Sequence, residues 1–144
     1  MTEQKIVTHS PAQTEAVGER LAGYLVFGDV VAFEGGLGVG KTVFVRGLAR
    51  GLGCDCEVSS PTFALINEYR GKRLNLCHMD AYRLPGPDEL PETGFYDYLD
   101  AGWVCAVEWS EHVASAMPCT FVVHIGRVDD NTREILIKGR ELKP

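Results

Sequence analysis

The chain has 144 residues, 45% hydrophobic and 24% charged, with a formal net charge of −6. A chain this long hides roughly 68–70% of its unfolded surface, so it reads as one domain over residues 1–144 that needs no disulfide to hold a core. The acidic balance disfavours a protein that grips DNA or RNA by itself, because phosphate contacts supply most of such affinity; with no apolar run of about 18 residues and no basic-then-apolar pattern in residues 1–10, the expected compartment is the cytoplasm, away from membranes.

Ser10-Pro11-Ala12-Gln13 reads as a helix start. Serine is a good N-cap, proline suits the first helical position, and Gln13 can reach back as in a capping box. Helical spacing then runs through Ala16, Val17, Leu21 and Tyr24 or Leu25, with Gly28 as the expected stop. Val30–Phe33 is a short apolar run with the character of a buried strand. The segment 41–52 places Val45, Leu48, Ala49 and Leu52 on one helical face, and Gly53 is set to end it. Residues 63–69 and 74–79 read as two strands joined by a turn at Arg70-Gly71-Lys72-Arg73, a hairpin. Residues 85–91 form a loop around a short acidic helix, 104–107 a further strand, and 110–116 a short helix stopped by Met117-Pro118. Residues 121–125 and 134–137 close the pattern as two strands in antiparallel arrangement. Interleaved helices and strands define an α/β class with a mixed parallel and antiparallel sheet flanked by helices.

The five cysteines include no C-x-x-C pair. Cys54-x-Cys56 with Cys77-His78 fits no standard zinc spacing, and Cys105 and Cys119 lie in apolar runs where free cysteine acts as a small hydrophobe.

Between the strand at 30–33 and the helix at 41–52 lies Gly35-Gly36-Leu37-Gly38-Val39-Gly40-Lys41-Thr42, which fits G-x-x-x-x-G-K-[ST] at every fixed position. Glycines let backbone N–H groups turn around an anion without Cβ atoms in the way. Lys41 adds a point charge at the β- and γ-phosphates, the Thr42 hydroxyl is a hard ligand for magnesium, and the helix turns its positive end toward the phosphates. Such a loop needs a carboxylate at the end of a neighbouring strand. Glu108, directly after Val104-Cys105-Ala106-Val107, is the stronger candidate, and Asp80, after Leu74–Met79, is the other. Trp109 reads either as a stacking residue or as plain core, and His78 either as an aid to the chemistry or, as is commoner for a histidine in a strand, as a hydrogen-bonded core residue. Ser60 and Thr62, in Ser59-Ser60-Pro61-Thr62-Phe63, stand where P-loop switches place a hydroxyl that senses the γ-phosphate, or in an ordinary turn.

Taken together, the loop at 35–42, Ser60-Pro61-Thr62-Phe63, His78-Met79-Asp80-Ala81-Tyr82-Arg83-Leu84 and Val107-Glu108-Trp109 resemble the bacterial TsaE (YjeE) family in order and spacing over nearly the whole chain. The resemblance implies a P-loop NTPase fold and an ATPase, slow without partners, that acts on a complex of TsaB and TsaD in making N6-threonylcarbamoyladenosine 3′ of the tRNA anticodon, touching tRNA only through that complex. It implies ATP and Mg²⁺ as cofactors. By position it assigns Gly35, Gly36, Leu37, Gly38, Val39, Gly40, Lys41, Thr42 and Val43 to nucleotide binding, with Ser10, Trp109 and Arg133 flanking the nucleotide. Thr42 and Glu108 match the magnesium site; Lys41, Asp80 and Thr62 match the residues supporting hydrolysis. The chain departs from the family pattern at Gly36, Val43 and Ala81. The alternative reading is a small-molecule or nucleoside P-loop kinase; a GTP switch is disfavoured because Asn-Lys-x-Asp is absent.

Overall fold

A computed structural model describes residues 2–34, 40–55, 58, 66–118 and 120–139. Its centre is one seven-stranded sheet in the order β1-β7-β6-β2-β5-β4-β3, formed by Thr2–Thr8, Val30–Phe33, Ile66–Tyr69, Leu76–Asp80, Val104–Glu108, Phe121–Arg127 and Arg133–Gly139 as β1 to β7. Strand β2 lies in the middle, parallel to both β5 and β6, and β5 is parallel to β4. The two flanks are antiparallel: β3 on β4, β7 on β6, and β1 on β7. The mixed sheet and two of these antiparallel pairs, β3 with β4 and β6 with β7, agree with the sequence expectation.

Side chains alternate across a strand, and the two resulting faces build two cores. Val31 and Phe33 of β2, Leu76 of β4, and Val104 and Ala106 of β5 pack under α1 (Pro11–Ala22) and α2 (Lys41–Gly51). Val30, Ala32, Cys77, Met79, Cys105 and Val107 point the other way, under Leu90, Phe95, Trp103 and Val113. Each large side chain fully removed from water contributes about 1.5–3 kcal/mol, and Phe33, Phe44, Phe95 and Phe121 are among those so removed.

Helices α1 and α2 lie very close. A Cβ placed on Gly47 would stand 2.0 Å from the Glu15 carbonyl oxygen, and one on Gly18 would stand 2.2 Å from that of Phe44. Ser10 caps α1 as expected, its Oγ accepting from the Gln13 amide at 3.2 Å, while the Gln13 side chain accepts from the His9 amide.

Several local expectations are corrected. Helix α1 ends at Ala22 rather than running to Gly28: Tyr24 and Leu25 bond back three residues, tightening the exit, and the Asp29 carboxylate captures the Val26 amide at 2.8 Å. Residues 110–116 form two 3-10 turns, Ser110–His112 and Ala114–Ala116, separated by Val113 in a non-helical conformation. The acidic segment is a 3-10 helix, Pro87–Thr93, and the aromatic stretch after it forms α3, Phe95–Asp100. Strand β1 has no counterpart among the sequence expectations. The expected strand start at 63–65 lies outside the described residues, as do Cys56 and Cys119.

Candidate functional site

The site is assembled where β2, β5 and β4 end. In the sheet register Phe33 lies beside Glu108, and Glu108 beside Asp80. Residues 76, 78 and 80 of β4 and residues 104, 106 and 108 of β5 share one face by strand alternation, and that face is the one α2 covers. Glu108, His78 and Asp80 are thereby directed to the layer in which α2 begins with Lys41.

Gly40 caps α2 in the left-handed region, φ 107°, where a side chain would be strained. This accounts for the last fixed glycine of the loop motif. Gly35, Gly36, Leu37, Gly38 and Val39 lie outside the described residues, as do Ser60 and Thr62. Thr42 and Val43, half-buried, occupy the first turn of α2.

Lys41 is buried, 2% exposed. Burial pushes its pKa below the ordinary 10.5, opposed by the attraction of Glu108 first, then Glu111 and Asp80. Its Nζ stands 5.3 Å from the centroid of the Trp109 ring, within cation–π range. Trp109 is the one non-glycine residue with positive φ among those described, at φ 56°. A bulky residue in that region stores of order 1–3 kcal/mol of strain. The strain is held by packing: Tyr82 and His112 flank the indole at 4.9 and 5.7 Å between centroids. Ser110 adds a brace that sequence reasoning missed, its Oγ donating to the Phe33 carbonyl at 3.1 Å. It ties the end of β2 to the turn after β5. Its only signal in the sequence was a hydroxyl next to Trp109, read as a helix start.

Glu108 is completely buried. One carboxylate oxygen, Oε2, lies 3.1 Å from Nε2 of the equally buried His78, while Oε1 and the Trp109 Nε1 have no hydrogen-bond partner. A buried, unpartnered carboxylate oxygen near the start of α2 fits a hard divalent cation, which takes oxygen ligands. Asp80 accepts from the Tyr82 amide at 2.9 Å through Oδ1, which orients its carboxylate.

On the other side of the α2 N-terminus lies a cavity of about 280 Å³ lined by Ser10, Thr14, Gly40, Val43, Asn131 and Arg133. Three contacts build it. The β1–β7 register sets Thr8 beside Arg133, Thr8 and Thr14 share a buried 2.7 Å hydroxyl bond, and the glycine-mediated packing of α1 on α2 sets Ser10 near Gly40. Arg133 donates to the carbonyls of Asp129 and Thr132 at 2.8 and 3.1 Å, so its guanidinium is held at the β6–β7 turn. The sequence-predicted residues therefore fall into two groups astride the start of α2: Lys41, Asp80, Glu108 and Trp109 on one side, and Ser10, Val43 and Arg133 on the other.

A central parallel strand preceding a glycine-capped helix that opens on Lys41-Thr42, with acids at the tips of the adjacent β5 and of β4 next to it, is the arrangement of a P-loop NTPase fold. The family profile described as "Threonylcarbamoyl adenosine biosynthesis protein TsaE" matches residues 8–135, and the chain belongs to the TsaE family. It is similar to the tRNA threonylcarbamoyladenosine biosynthesis protein TsaE of Bacillus subtilis, 40% identical over 136 residues and covering 94% of this chain and 85% of that one. A Treponema pallidum protein of the same name is 40% identical over 134 residues, covering 92% of this chain and 98% of its own length. The crystal structure of Bacillus subtilis YdiB superposes with a TM-score of 0.76 at 36% identity, over 94% of this chain and 84% of that chain.

Proposed function

We propose that this chain is the Mg-dependent ATPase of tRNA threonylcarbamoyladenosine formation, binding ATP across the start of α2 and acting on a TsaB–TsaD complex. The observation that carries the reading is the buried Lys41 ammonium, held at the start of a glycine-capped helix among Glu108, Glu111 and Asp80. A buried cation beside carboxylates, at the positive end of a helix, suits an anionic ligand that comes with a cation of its own.

The adenosine end of ATP would occupy the cavity of Ser10, Val43 and Arg133, and the phosphates would follow residues 35–42 toward Lys41. Thr42 and Glu108 would hold magnesium, which supplies charge neutralisation at the β- and γ-oxygens. Asp80, oriented by the Tyr82 amide, orients the attacking water and takes its proton. Water attacks the γ-phosphorus in line, the bond to the β,γ-bridging oxygen breaks, and Lys41 stabilises the charge that develops. Ser60 and Thr62 are the γ-phosphate sensors in this reading, and Trp109 packs beside the nucleotide. Arg133 is committed to hairpin carbonyls, which supports slow intrinsic turnover and completion by a partner.

The test is threonylcarbamoylation in a reconstituted mixture of TsaB, TsaD, threonylcarbamoyl-adenylate and tRNA. Added chain is expected to give repeated turnovers, and Lys41→Ala to give none. Rapid ATP hydrolysis by the lone chain would sink the partner-dependent part. No effect on modification, combined with γ-phosphate transfer to a small-molecule acceptor, would move the reading to a kinase.

A further inference from the structure

His78 is a polar side chain with no exposed surface on a face that also carries the apolar Leu76, Val104 and Ala106. Its Nε2 meets Glu108 Oε2 at 3.1 Å, while its Nδ1, like Glu108 Oε1, has no hydrogen-bond partner. An unsatisfied buried polar atom costs about 1–3 kcal/mol, so one such atom on each member of the pair is unfavourable for folding alone. They make sense if the pair serves the carboxylate. Bonded at one oxygen and free at the other, Glu108 has one orientation and one oxygen to offer.

We propose that His78 is a positioning residue for Glu108: its Nε2–H donates to Oε2 and so presents Oε1 to the divalent cation that accompanies the nucleotide. The inference rests on the reading of Glu108 as the magnesium carboxylate. Strand geometry supports it. His78 and Asp80 are two apart on β4 and share its face; Asp80 is opposite Glu108 in the register, and His78 is opposite Ala106. The imidazole therefore reaches Glu108 diagonally from behind, away from the strand ends where Asp80 lies. Outer partners of this kind typically change metal affinity about 10–100-fold when removed.

The experiment titrates Mn²⁺ by electron paramagnetic resonance into the full chain with ADP. In parallel, ADP affinity without metal is followed by tryptophan fluorescence. The variants are His78→Gln, whose amide nitrogen spans the reach of Nε2, His78→Asn, which falls short of Oε2, and Glu108→Gln. We expect His78→Asn to weaken Mn²⁺ binding by about 10–100-fold and His78→Gln to hold it within ~3-fold, with metal-free ADP affinity unchanged in both. A structural role alone would lower both affinities together or neither. Unchanged Mn²⁺ affinity in His78→Asn, with loss in Glu108→Gln, overturns the proposal and leaves the magnesium site standing. Unchanged affinity in Glu108→Gln overturns the magnesium assignment itself, and this inference with it. If His78→Asn does not fold, nitrogen NMR of the unaltered chain decides. The His78 Nε2 resonance moves when Mg²⁺ is added to the ADP complex if the proposal holds, and stays put if it does not.

Discussion

A lysine ammonium taken out of water is costly unless something faces it, and Lys41 is both buried and, by the sign of its pKa displacement, incompletely compensated. Its cost to the empty protein is what makes it useful to a phosphate. Lys41→Met should therefore unfold at the same or a higher denaturant concentration than the unaltered chain without nucleotide. The same variant should bind ATP more weakly by about 2–5 kcal/mol, the scale of removing one member of a buried charge pair; urea unfolding and ATP titration check the two halves. The pH dependence follows from the same displacement. With the folded pKa below 10.5, the unfolded chain binds more protons between the folded value and 10.5, so stability rises with pH across that window. Below the folded value the full cost of the buried cation is present. The difference in unfolding free energy between Lys41→Met and the unaltered chain should therefore shrink as pH climbs toward 10.5, and a constant difference would count against a depressed Lys41. The places of Lys41 and Thr42 at the start of α2 and of Glu108 at the end of β5 were legible in the sequence because each sits at a fixed offset from a local pattern. His78 reads in the sequence as an aid to the chemistry or, more often, as a hydrogen-bonded core histidine; that its partner is Glu108 was not legible, because the two lie 30 residues apart.

Both α1 and α2 begin at the candidate site, so their separation sets the width of the cavity between Ser10 and Gly40. Glycine is a poor helix former, about 1 kcal/mol worse than alanine, yet Gly18 and Gly47 stand inside these two helices. The reason is contact: a Cβ at Gly47 would meet the Glu15 carbonyl at 2.0 Å. Gly47→Ala is expected to destabilise the protein by about 1–3 kcal/mol, overpacking outweighing the gain in propensity. It should also weaken ATP binding with Lys41 intact, measurable by thermal unfolding and nucleotide titration. Helix α2 and strands β2, β5, β6 and β7 were readable because their apolar periods are strong. Strand β1, Thr-Glu-Gln-Lys-Ile-Val-Thr, carries almost no such signal; it is a strand because β7 offers an edge to pair with. The segment 110–116 was taken for a helix on composition, but the chain leaves β5 through a left-handed Trp109, and two 3-10 turns are what remain.

In the whole molecule, the site lies at the carboxyl ends of parallel strands at the middle of the sheet, where open α/β sheets place ligands. The sheet on one side and two helix N-termini on the other converge there, so a bound nucleotide would stabilise both layers together. At an ATP concentration 100 times Kd, with magnesium, the unfolding free energy should rise by about 2.7 kcal/mol. The rise should fall when magnesium is chelated and shrink to under about 1 kcal/mol in Lys41→Met; a rise of equal size in Lys41→Met would show stabilisation from elsewhere. The α/β class, the glycine-rich motif and the helix after it were already determined by the amino-acid order, since glycine freedom, helix period and strand alternation act over a few residues. Which acid faces Lys41, which histidine supports Glu108, and how Ser10 and Arg133 come to one cavity depend on strand order and register. Those are set by pairing between segments far apart in the chain, β1 with β7 and β4 with β5, and by two helices allowed to touch at glycines. No local pattern carries that information, because it resides in which surfaces bury one another.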